Sequence, residues 1–378
     1  MPWRECTEVT ERREAVRWVV ESGAEVATVA RSFRVSRKTV YKWLERYKAD
    51  GPAGLEGRSR RPLRSPRQTA SELEAQIVAV RQEHPAWGGR KIHHWLQERG
   101  VDAPAPSTIT NVLRRHGLLD ADHRLVRDWQ RFEEGEPNAL WQMDYKGHFA
   151  TAEGRCHPLT VLDDHSRFNI CLEACRDERA LTVQERLRMA FERYGLPERM
   201  LMDNGSPWGS DGEHRHTRLT AWLIRLGITV SHGRPYHPQT QGKEERFHKT
   251  LNVEVLRTRP HWESFAQVQD HFGRWREVYN YERPHEALGN RTPASRYRPS
   301  HRPFPSTLPE LVYEPGDELR KVQDKGRISF KNRSFLVSRA FIGHYVALRP
   351  SGPDSWDVYY GHQRVARLDL QTGLPSNL

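Results

Sequence analysis

Residues 8 to 48 show the hydrophobic spacing of three short helices. The apolar positions of the first two helices are Val16, Val19, Val20, Val26, Val29, Ala30 and Phe33. Ser36 follows a brief turn and is a suitable N-cap for the third helix. The polar face of the third helix carries Arg37, Lys38, Tyr41, Lys42 and Arg46. Residues 1 to 50 are therefore predicted to form a helix-turn-helix whose last helix enters the major groove of DNA. A small helical bundle with a solvated basic face is the alternative.

A polar stretch separates these helices from a second helical set. Residues 51 to 69 are rich in Gly, Pro, Ser and Arg, cannot build a core, and are predicted to be a basic linker. Its arginines either follow DNA phosphates or only keep the linker soluble; they are Arg58, Arg60, Arg61, Arg64 and Arg67. Residues 70 to 118 return to helical spacing, with Ser107 predicted to cap the last helix. Two helical units in tandem would read a longer DNA site than one.

From residue 138 the hydrophobic pattern changes to short strands. The segments LWQMDYKGHFA, CHPLTVLDD and RFNICLEAC are predicted to be successive strands, and helices alternate with strands from there to residue 298. This order predicts a mixed α/β sheet flanked by helices. The charged residues 119 to 137 form the boundary before this core.

The last part of the chain has short alternating runs typical of β-structure. Residues 316 to 378 are predicted to form a small all-β barrel of the SH3-like kind, and the Pro-rich residues 299 to 315 a linker before it. The fold class predicted for the chain is multidomain: all-α helix-turn-helix modules, a central α/β core and a C-terminal β-barrel.

Three carboxylates occupy positions where a sheet and a helix can bring them together. Asp144 lies inside the first core strand, and Asp203 ends a separate buried strand, RMLMD. The third candidate lies near the start of a helix that follows PYHPQTQG, where Glu244 and Glu245 are adjacent. The choice between these two glutamates depends on the phase of the helix.

The apolar stripe of this helix consists of Phe247, Leu251 and Val255. Glu244 falls within the angular range of the stripe, whereas Glu245 projects about 100° further round. The face of Glu245 is also predicted to hold His248, Lys249 and Asn252. We therefore predict that Glu245 meets the two aspartates and that its neighbours can contact DNA.

A site of three carboxylates favours two Mg²⁺ ions, with Mn²⁺ as a substitute, over zinc. Two ions about 4 Å apart activate a nucleophile and stabilise the leaving oxygen in an in-line phosphoryl displacement. With water as nucleophile the result is strand cleavage, and with a DNA 3′-hydroxyl it is strand transfer.

Composition agrees with a DNA partner. The formal net charge is +11 and the pI about 9.6, which favours nucleic acid; an ordinary basic enzyme is the alternative. The four cysteines are too few and scattered for a disulfide framework, which fits a reducing cytoplasm, and Cys171 and Cys175 are predicted to be packing residues. No apolar run approaches the length of a membrane span, so no membrane partner is expected.

Five segments carry a specific family resemblance: WQMDYKGHF, HPLTVLDDHSRF, YGLPERMLMDNGSPWG, VSHGRPYHPQTQGKEERFHKTL and YNYERPHEALGNRTPASRY. The chain resembles bacterial transposases of insertion-sequence family 481, the DDE class with a retroviral-integrase-type, RNase H-like core. The resemblance implies that Asp144, Asp203 and Glu245 are the metal-binding and catalytic triad. The DNA-contacting residues that it implies are Asn204, Gln239, Gln241, Lys243, His248 and Lys249.

The resemblance also implies a substrate and a setting. The substrate would be double-stranded DNA: the terminal inverted repeats of the element itself, and a target site. A homo-oligomer on DNA in the bacterial cytoplasm, associated with the nucleoid, is expected because strand transfer needs two ends. A DNA-binding regulator that has lost catalysis and a structure-specific nuclease are the alternatives.

One departure from the integrase pattern is a longer gap between the second and third carboxylates. The extra length lies in the polar residues 209 to 218, where His214 and His216 are predicted to belong to a basic loop rather than to a metal pair. Asp163 and Asp164 are predicted to close a strand and shape a turn with Ser166 and Arg167, without a metal role.

Overall fold

The structure is a computed structural model. It describes residues 7–57, 68–119, 133–209, 216–233, 242–371 and 375–376. The predictions for the linker arginines, His214, Gln239 and Gln241 lie outside the described residues. The chain divides into two compact units, Met1–Gln68 and Thr69–Leu378, which are treated separately below.

In its described residues the first unit has the α-helices α1 (Glu8–Val20), α2 (Val26–Ser32) and α3 (Arg37–Asp50), followed by a 3-10 turn at Gly51–Leu55. Its buried core consists of Ala15, Val29, Ala30 and Val40. The predicted cap of α3 is confirmed, because the Ser36 hydroxyl accepts a hydrogen bond from the Thr39 backbone N–H at 3.1 Å. The short turn between α2 and α3 gives this unit the helix-turn-helix arrangement that the sequence predicts.

The second unit begins with α4 (Ser71–Glu83), α5 (Gly89–Glu98) and α6 (Pro106–Arg115). The prediction that Ser107 caps α6 was wrong: the helix begins at Pro106, and Ala105 is its N-cap. The pyrrolidine ring fixes a helical φ and has no N–H to satisfy, so proline suits the first helical position. These helices lie against the core, where Val278 joins their apolar cluster and Arg99 pairs with Glu282 at 3.4 Å.

The central domain is a six-stranded mixed sheet with helices on both sides. Its elements are β1 (Leu140–Tyr145), β2 (Phe149–Thr151), β3 (Gly154–Asp163), β4 (Asn169–Cys175), α7 (Ala180–Tyr194), β5 (Arg199–Met202), α8 (Arg218–Arg225), β6 (Thr229–His232), α9 (Gly242–Glu254) and α10 (Phe265–Glu277). The strand path is β2-β3-β1-β5-β6, and β4 pairs with β3. β1 is antiparallel to β3 and parallel to β5, and β5 is parallel to β6, so the predicted mixed sheet is confirmed.

Alternate residues of the strands enter two apolar clusters on opposite faces of the sheet. Met143 and Val161 belong to the cluster that includes α7 and α8, whereas Leu162 packs with α9 and α10. Side chains alternate across a strand. Asp144, next to Met143, therefore projects to the face covered by α9, where Phe247 is buried.

The C-terminal part is built from antiparallel strands: β7 (Glu318–Lys321), β8 (Arg327–Phe330), β9 (Arg333–Leu336), β10 (Tyr345–Pro350), β11 (Ser355–Tyr360), β12 (Gln363–Asp369) and β13 (Pro375–Ser376). They form a five-stranded sheet in the order β13-β12-β11-β10-β7 and a β8-β9 hairpin. The apolar residues of both sheets join the cluster on the α7 and α8 side of the core, so this domain shares one continuous core with the central sheet.

The Pro-rich segment before these strands is packed against the core. The Arg302 guanidinium donates to the backbone carbonyls of Pro197 at 2.7 Å and Gly227 at 2.8 Å, and Phe304 lies 6.1 Å from Phe191 between ring centroids. The segment thus has fixed contacts that composition alone did not predict, while the exact domain boundaries stay predictions. None of the helices in the described residues is long and apolar enough to cross a membrane.

Candidate active site

Asp144 lies opposite Thr160 in the β1–β3 ladder, on the sheet face covered by α9. Burial, followed by the negative charges of Asp203, Glu178 and Glu245, raises the pKa of Asp144 to about 7, against an opposing backbone hydrogen bond from Tyr145. The charges of the other two predicted carboxylates thus act on Asp144. A carboxylate beside like charges is more stable when a cation lies beside it.

Asp203 follows β5 and is held by the motif DNGSPWG. The Trp208 indole N–H donates to Asp203 Oδ1, and the Gly205 backbone N–H donates to the same oxygen at 3.0 Å. Trp208 is buried and stacks on Tyr145, next in sequence to Asp144, with ring centroids 5.3 Å apart. Both hydrogen bonds go to Oδ1 and orient the carboxylate. Neither of them involves the other carboxylate oxygen, Oδ2. Sequence reasoning missed Trp208, although its place in the motif was the available signal.

Asn204 was predicted to contact DNA. Its side-chain amide donates to the Gly233 carbonyl at 2.8 Å. Nearby, His232 Nδ1 lies 2.8 Å from the Asp203 backbone carbonyl oxygen. These contacts tie the end of β5 to the end of β6, beside the second carboxylate. The contact of Asn204 with DNA stays a prediction.

The two adjacent glutamates of α9 have opposite surroundings. Glu244 is fully buried together with Phe247 and Leu251, whereas Glu245 is exposed. The phase argument for α9 is therefore confirmed as far as burial is concerned. The role of Glu245 as the metal ligand stays a prediction.

A buried polar network surrounds Glu244. The Thr160 hydroxyl oxygen lies 2.9 Å from the Asp144 carbonyl, 3.0 Å from Glu244 Oε2 and 2.8 Å from His248 Nε2. The Thr160 hydroxyl donates to the Asp144 carbonyl and to Glu244 Oε2, which share its single proton, and its oxygen can also accept from His248 Nε2.

Burial dominates the electrostatics of this network. Burial, followed by the charge of Asp144, raises the pKa of Glu244 well above its usual range, while the hydrogen bond from Thr160 opposes that rise. Burial, followed by the charge of Lys146, lowers the pKa of His248 to about 3, so its imidazole is neutral near pH 7. A buried glutamate that already binds Thr160 is a poor metal ligand, which favours the exposed Glu245 for that role.

His248 and Lys249 differ in their surroundings. His248 points inward, with Nδ1 3.9 Å from Asp144 Oδ2 and Nε2 3.6 Å from Glu244 Oε2, whereas Lys249 is exposed. The sequence predicted that His248 shares the face of Glu245. In the structure it contacts Glu244, because residues four apart on a helix also face each other.

Lys243, predicted to contact DNA, forms an ion pair with the buried Asp164.

Asp163 closes its strand as predicted: its Oδ1 accepts from the Ser166 backbone N–H at 2.7 Å, and Arg167 has a positive φ of 63° in the same turn. His216 lies against the ring of Phe341, which belongs to a short 3-10 helix between β9 and β10, with ring centroids 5.4 Å apart. The described cysteines, Cys156, Cys171 and Cys175, are buried and free, which fits the predicted packing role.

The donor set fits a hard divalent cation, because carboxylate oxygens are the ligands that Mg²⁺ prefers. Within the described ranges, no Lys or Arg forms an ion pair with Asp144, Asp203 or Glu245. In those same ranges, no three His, Cys, Asp or Glu side chains are close enough to hold one ion. The three predicted ligands are near enough for the charges of Asp203 and Glu245 to act on Asp144, but in the described residues they do not form a closed ligand set.

The basic face of α3 is open to solvent. Arg37, Lys38, Tyr41 and Lys42 are exposed, and Arg46 is half-buried. An open pocket of about 550 Å³ beside the turn is lined in part by Arg31, Arg34 and Arg37. The first two of these arginines were not among the predicted DNA-binding residues, although both flank the turn in the sequence.

Family models match most parts of the chain. A helix-turn-helix domain matches residues 11–62, and a homeodomain-like domain matches residues 39–113. The integrase core domain matches residues 134–238 and 226–293, and the C-terminal domain of the IS481 family transposases matches residues 317–375. The chain is a transposase with helix-turn-helix domains, an integrase core and a C-terminal domain of the IS481 family type. The predicted family, fold class and enzyme class are thereby confirmed.

Two curated relatives of the transposase are proteins of mobile elements. A protein of insertion element IS407 from Burkholderia multivorans is 26% identical, over 64% of the transposase and 86% of that relative. The transposase for transposon Tn552 from Staphylococcus aureus is 22% identical, over 93% of the chain and 80% of the relative.

Among solved structures, a simian T-cell lymphotropic virus intasome in complex with a PP2A regulatory subunit matches with a TM-score of 0.38 and 17% identity. That match covers 76% of the transposase and 98% of the other chain. The HTLV-2 integrase catalytic core domain in complex with magnesium matches with a TM-score of 0.34 and 17% identity, over 43% of the transposase and 99% of that domain.

Proposed function

We propose that this transposase binds the terminal inverted repeats of its insertion sequence, cleaves the DNA strand at the element ends and joins those ends to target DNA. Asp144, Asp203 and Glu245 would hold the catalytic metal ions. The observation that carries the proposal is the electrostatic arrangement around Asp144. Burial and the charges of Asp203, Glu178 and Glu245 raise its pKa, and no Lys or Arg in the described residues forms an ion pair with Asp144, Asp203 or Glu245.

Two Mg²⁺ ions, or Mn²⁺ in their place, would supply activation of the attacking oxygen and stabilisation of the leaving oxygen. Each protein group has its own task. Trp208 and Gly205 hold Asp203 through one oxygen, which keeps the other available to a ligand. Thr160 holds the Asp144 backbone and also contacts Glu244 and His248, which lie beside it in a buried network. Supporting contacts of this kind fix the orientation of metal ligands.

The DNA contacts are assigned to two regions. The exposed face of α3, with Arg37, Lys38, Tyr41, Lys42 and the half-buried Arg46, would contact the inverted repeat. Near the carboxylates, the predicted contacts are Asn204, Gln239, Gln241, His248 and Lys249. Of these, the exposed Lys249 is the best placed to meet a phosphate. Lys243 is left out because Asp164 binds its ammonium.

Strand transfer brings two DNA ends to one target, so we propose a homo-oligomer on DNA, in which the subunits supply two active sites. The expected location is the bacterial cytoplasm, in association with the nucleoid. Sedimentation of the protein with paired ends should show more than one subunit per complex. A monomer that joins ends at full rate would contradict this part of the proposal.

The test of the function is cleavage and joining of a labelled inverted-repeat end in Mg²⁺, with Asp203→Asn as the comparison. The wild type should yield both cut and joined products, and the variant neither, while both bind the end equally. Binding without any product, in Mg²⁺ or Mn²⁺, would instead support a regulator that has lost catalysis. Cleavage without joining would support a nuclease.

A further inference from the structure

Asp164 is a buried carboxylate that joins three parts of the core. Its Oδ1 accepts from the Gln142 side-chain amide at 2.6 Å and from the Lys243 ammonium, and its Oδ2 accepts from the Glu134 backbone N–H at 2.8 Å. Its own backbone N–H donates to the Leu140 carbonyl at 2.9 Å. The side chain of Asp164 is 0% exposed and that of Lys243 is 18% exposed.

The partners of Asp164 lie beside the proposed metal ligands. Gln142 is on β1, two residues before Asp144, and successive alternate residues of a strand share a face. Lys243 is in the first turn of α9, two residues before Glu245. The ion pair between Lys243 and Asp164 therefore fixes the start of α9 to the end of β3, opposite the first residue of β1, the strand that carries Asp144.

Through the geometry of α9, the ion pair between Lys243 and Asp164 affects the direction in which Glu245 projects. Residues two apart on an α-helix point in roughly opposite directions, so the contact of Lys243 with Asp164 leaves Glu245 on the other side of α9. Rotation or sliding of α9 would separate Lys243 from Asp164. A buried charge that loses its partner is strongly unfavourable, so the pair resists that movement.

We propose that the Lys243–Asp164 ion pair positions Glu245 relative to Asp144, and that Lys243 acts through α9 rather than by binding DNA. Lys243 and Asp164 are positioning residues, since neither touches the reacting atoms. The proposal rests on the proposed function, because it takes Glu245 to be a metal ligand.

The experiment compares Lys243→Met with Lys249→Met, a lysine six positions further along the same helix that is exposed. Two quantities are measured on the protein bound to a pre-cut inverted-repeat end: Mn²⁺ affinity by electron paramagnetic resonance, and the salt dependence of end binding. Lys243→Met should weaken Mn²⁺ binding by about 10-fold or more, as supporting contacts of metal ligands do, and leave the salt slope unchanged. Lys249→Met should lower the salt slope by about one and keep Mn²⁺ affinity.

Two further variants guard against a folding defect. Lys243→Arg keeps the charge and should recover most of the Mn²⁺ affinity, whereas Asp164→Asn should reproduce the loss. A Lys243→Met protein with normal Mn²⁺ affinity would overturn the proposal, whether or not its salt slope falls. A lower slope together with normal Mn²⁺ affinity would assign Lys243 to a DNA phosphate.

The proposed function has its own control in the same assay, Glu245→Gln. If Glu245→Gln weakens Mn²⁺ binding and Lys243→Met does not, the positioning role alone is wrong. If neither change weakens Mn²⁺ binding, Glu245 is not a ligand, and the proposed triad and the positioning role both fail.

Discussion

Removal of the Asp144 charge should stabilise the metal-free protein at high pH. Burial and the neighbouring carboxylates raise the pKa of Asp144 from 3.8 to about 7 in the folded chain. Between these two values the folded protein holds a proton that the unfolded chain has lost, so the free energy of unfolding falls as pH rises. Above pH 7 Asp144 is charged in the folded chain as well, and the free energy of unfolding is lowered by the full amount that its pKa shift implies.

The change in the free energy of unfolding follows from the pKa shift of Asp144. Each pKa unit corresponds to about 1.4 kcal/mol, so a shift of roughly three units corresponds to about 4 kcal/mol. The Asp144 side chain is only 24% exposed, so solvent screens little of this. Asp144→Asn should therefore raise the free energy of unfolding at pH 8 by up to about 4 kcal/mol, and change it little at pH 4.

The assay is thermal unfolding with a chelator present, from pH 4 to pH 8, repeated with Mg²⁺. The wild type should gain stability from Mg²⁺ at pH 8, because the ion offsets the carboxylate charges, whereas Asp144→Asn should gain little. Glu245→Gln is the matched control: it removes one charge from an exposed side chain, so its metal-free stability should rise much less. Equal pH dependence of wild type and Asp144→Asn would refute the electrostatic reasoning.

Three further predictions concern single side chains. Trp208→Phe keeps the buried ring but removes the donor to Asp203, so Mn²⁺ affinity should fall about 10-fold with the fold intact; unchanged affinity would exclude an orienting role. Lys38→Ala and Lys42→Ala should each lower the salt slope of end binding by about one, measured by fluorescence anisotropy, and an unchanged slope would count against α3 as the recognition helix. Phe272→Ala should lower the free energy of unfolding by about 3–5 kcal/mol in denaturant titrations, since Phe272 is fully buried; a loss under about 1 kcal/mol would contradict the packing.

The sequence predicted most secondary elements because their periodicity is local. Helical spacing of apolar residues marked α1 to α3, and the cap at Ser36 was correct because its hydrogen bond joins residues three apart. The start of α6 was misjudged, since Pro106 and Ser107 are both acceptable near a helix start and only the backbone decides. The phase of α9 separated Glu244 from Glu245 for the same local reason.

The contacts that support the site could not be predicted, because they depend on which distant residues lie opposite each other. Thr160 lies beside Asp144 because of the β1–β3 register, and its hydroxyl contacts His248 Nε2. Lys243 reads as a DNA-binding residue in the sequence because its partner, Asp164, lies on a remote strand end. The Pro-rich segment looked like a free linker for the same reason, since the carbonyls that bind Arg302 are also remote.

The most direct test of the account is end joining by two variants that differ only in which glutamate of α9 is changed. Glu245→Gln should abolish joining in Mg²⁺ while end binding is retained, because a metal ligand is lost. Glu244→Gln should keep most of the joining activity, since the amide oxygen of Gln can accept from Thr160 as the Glu244 oxygen does. The opposite result, with Glu244→Gln inactive and Glu245→Gln active, would assign the metal to the buried glutamate and contradict the account.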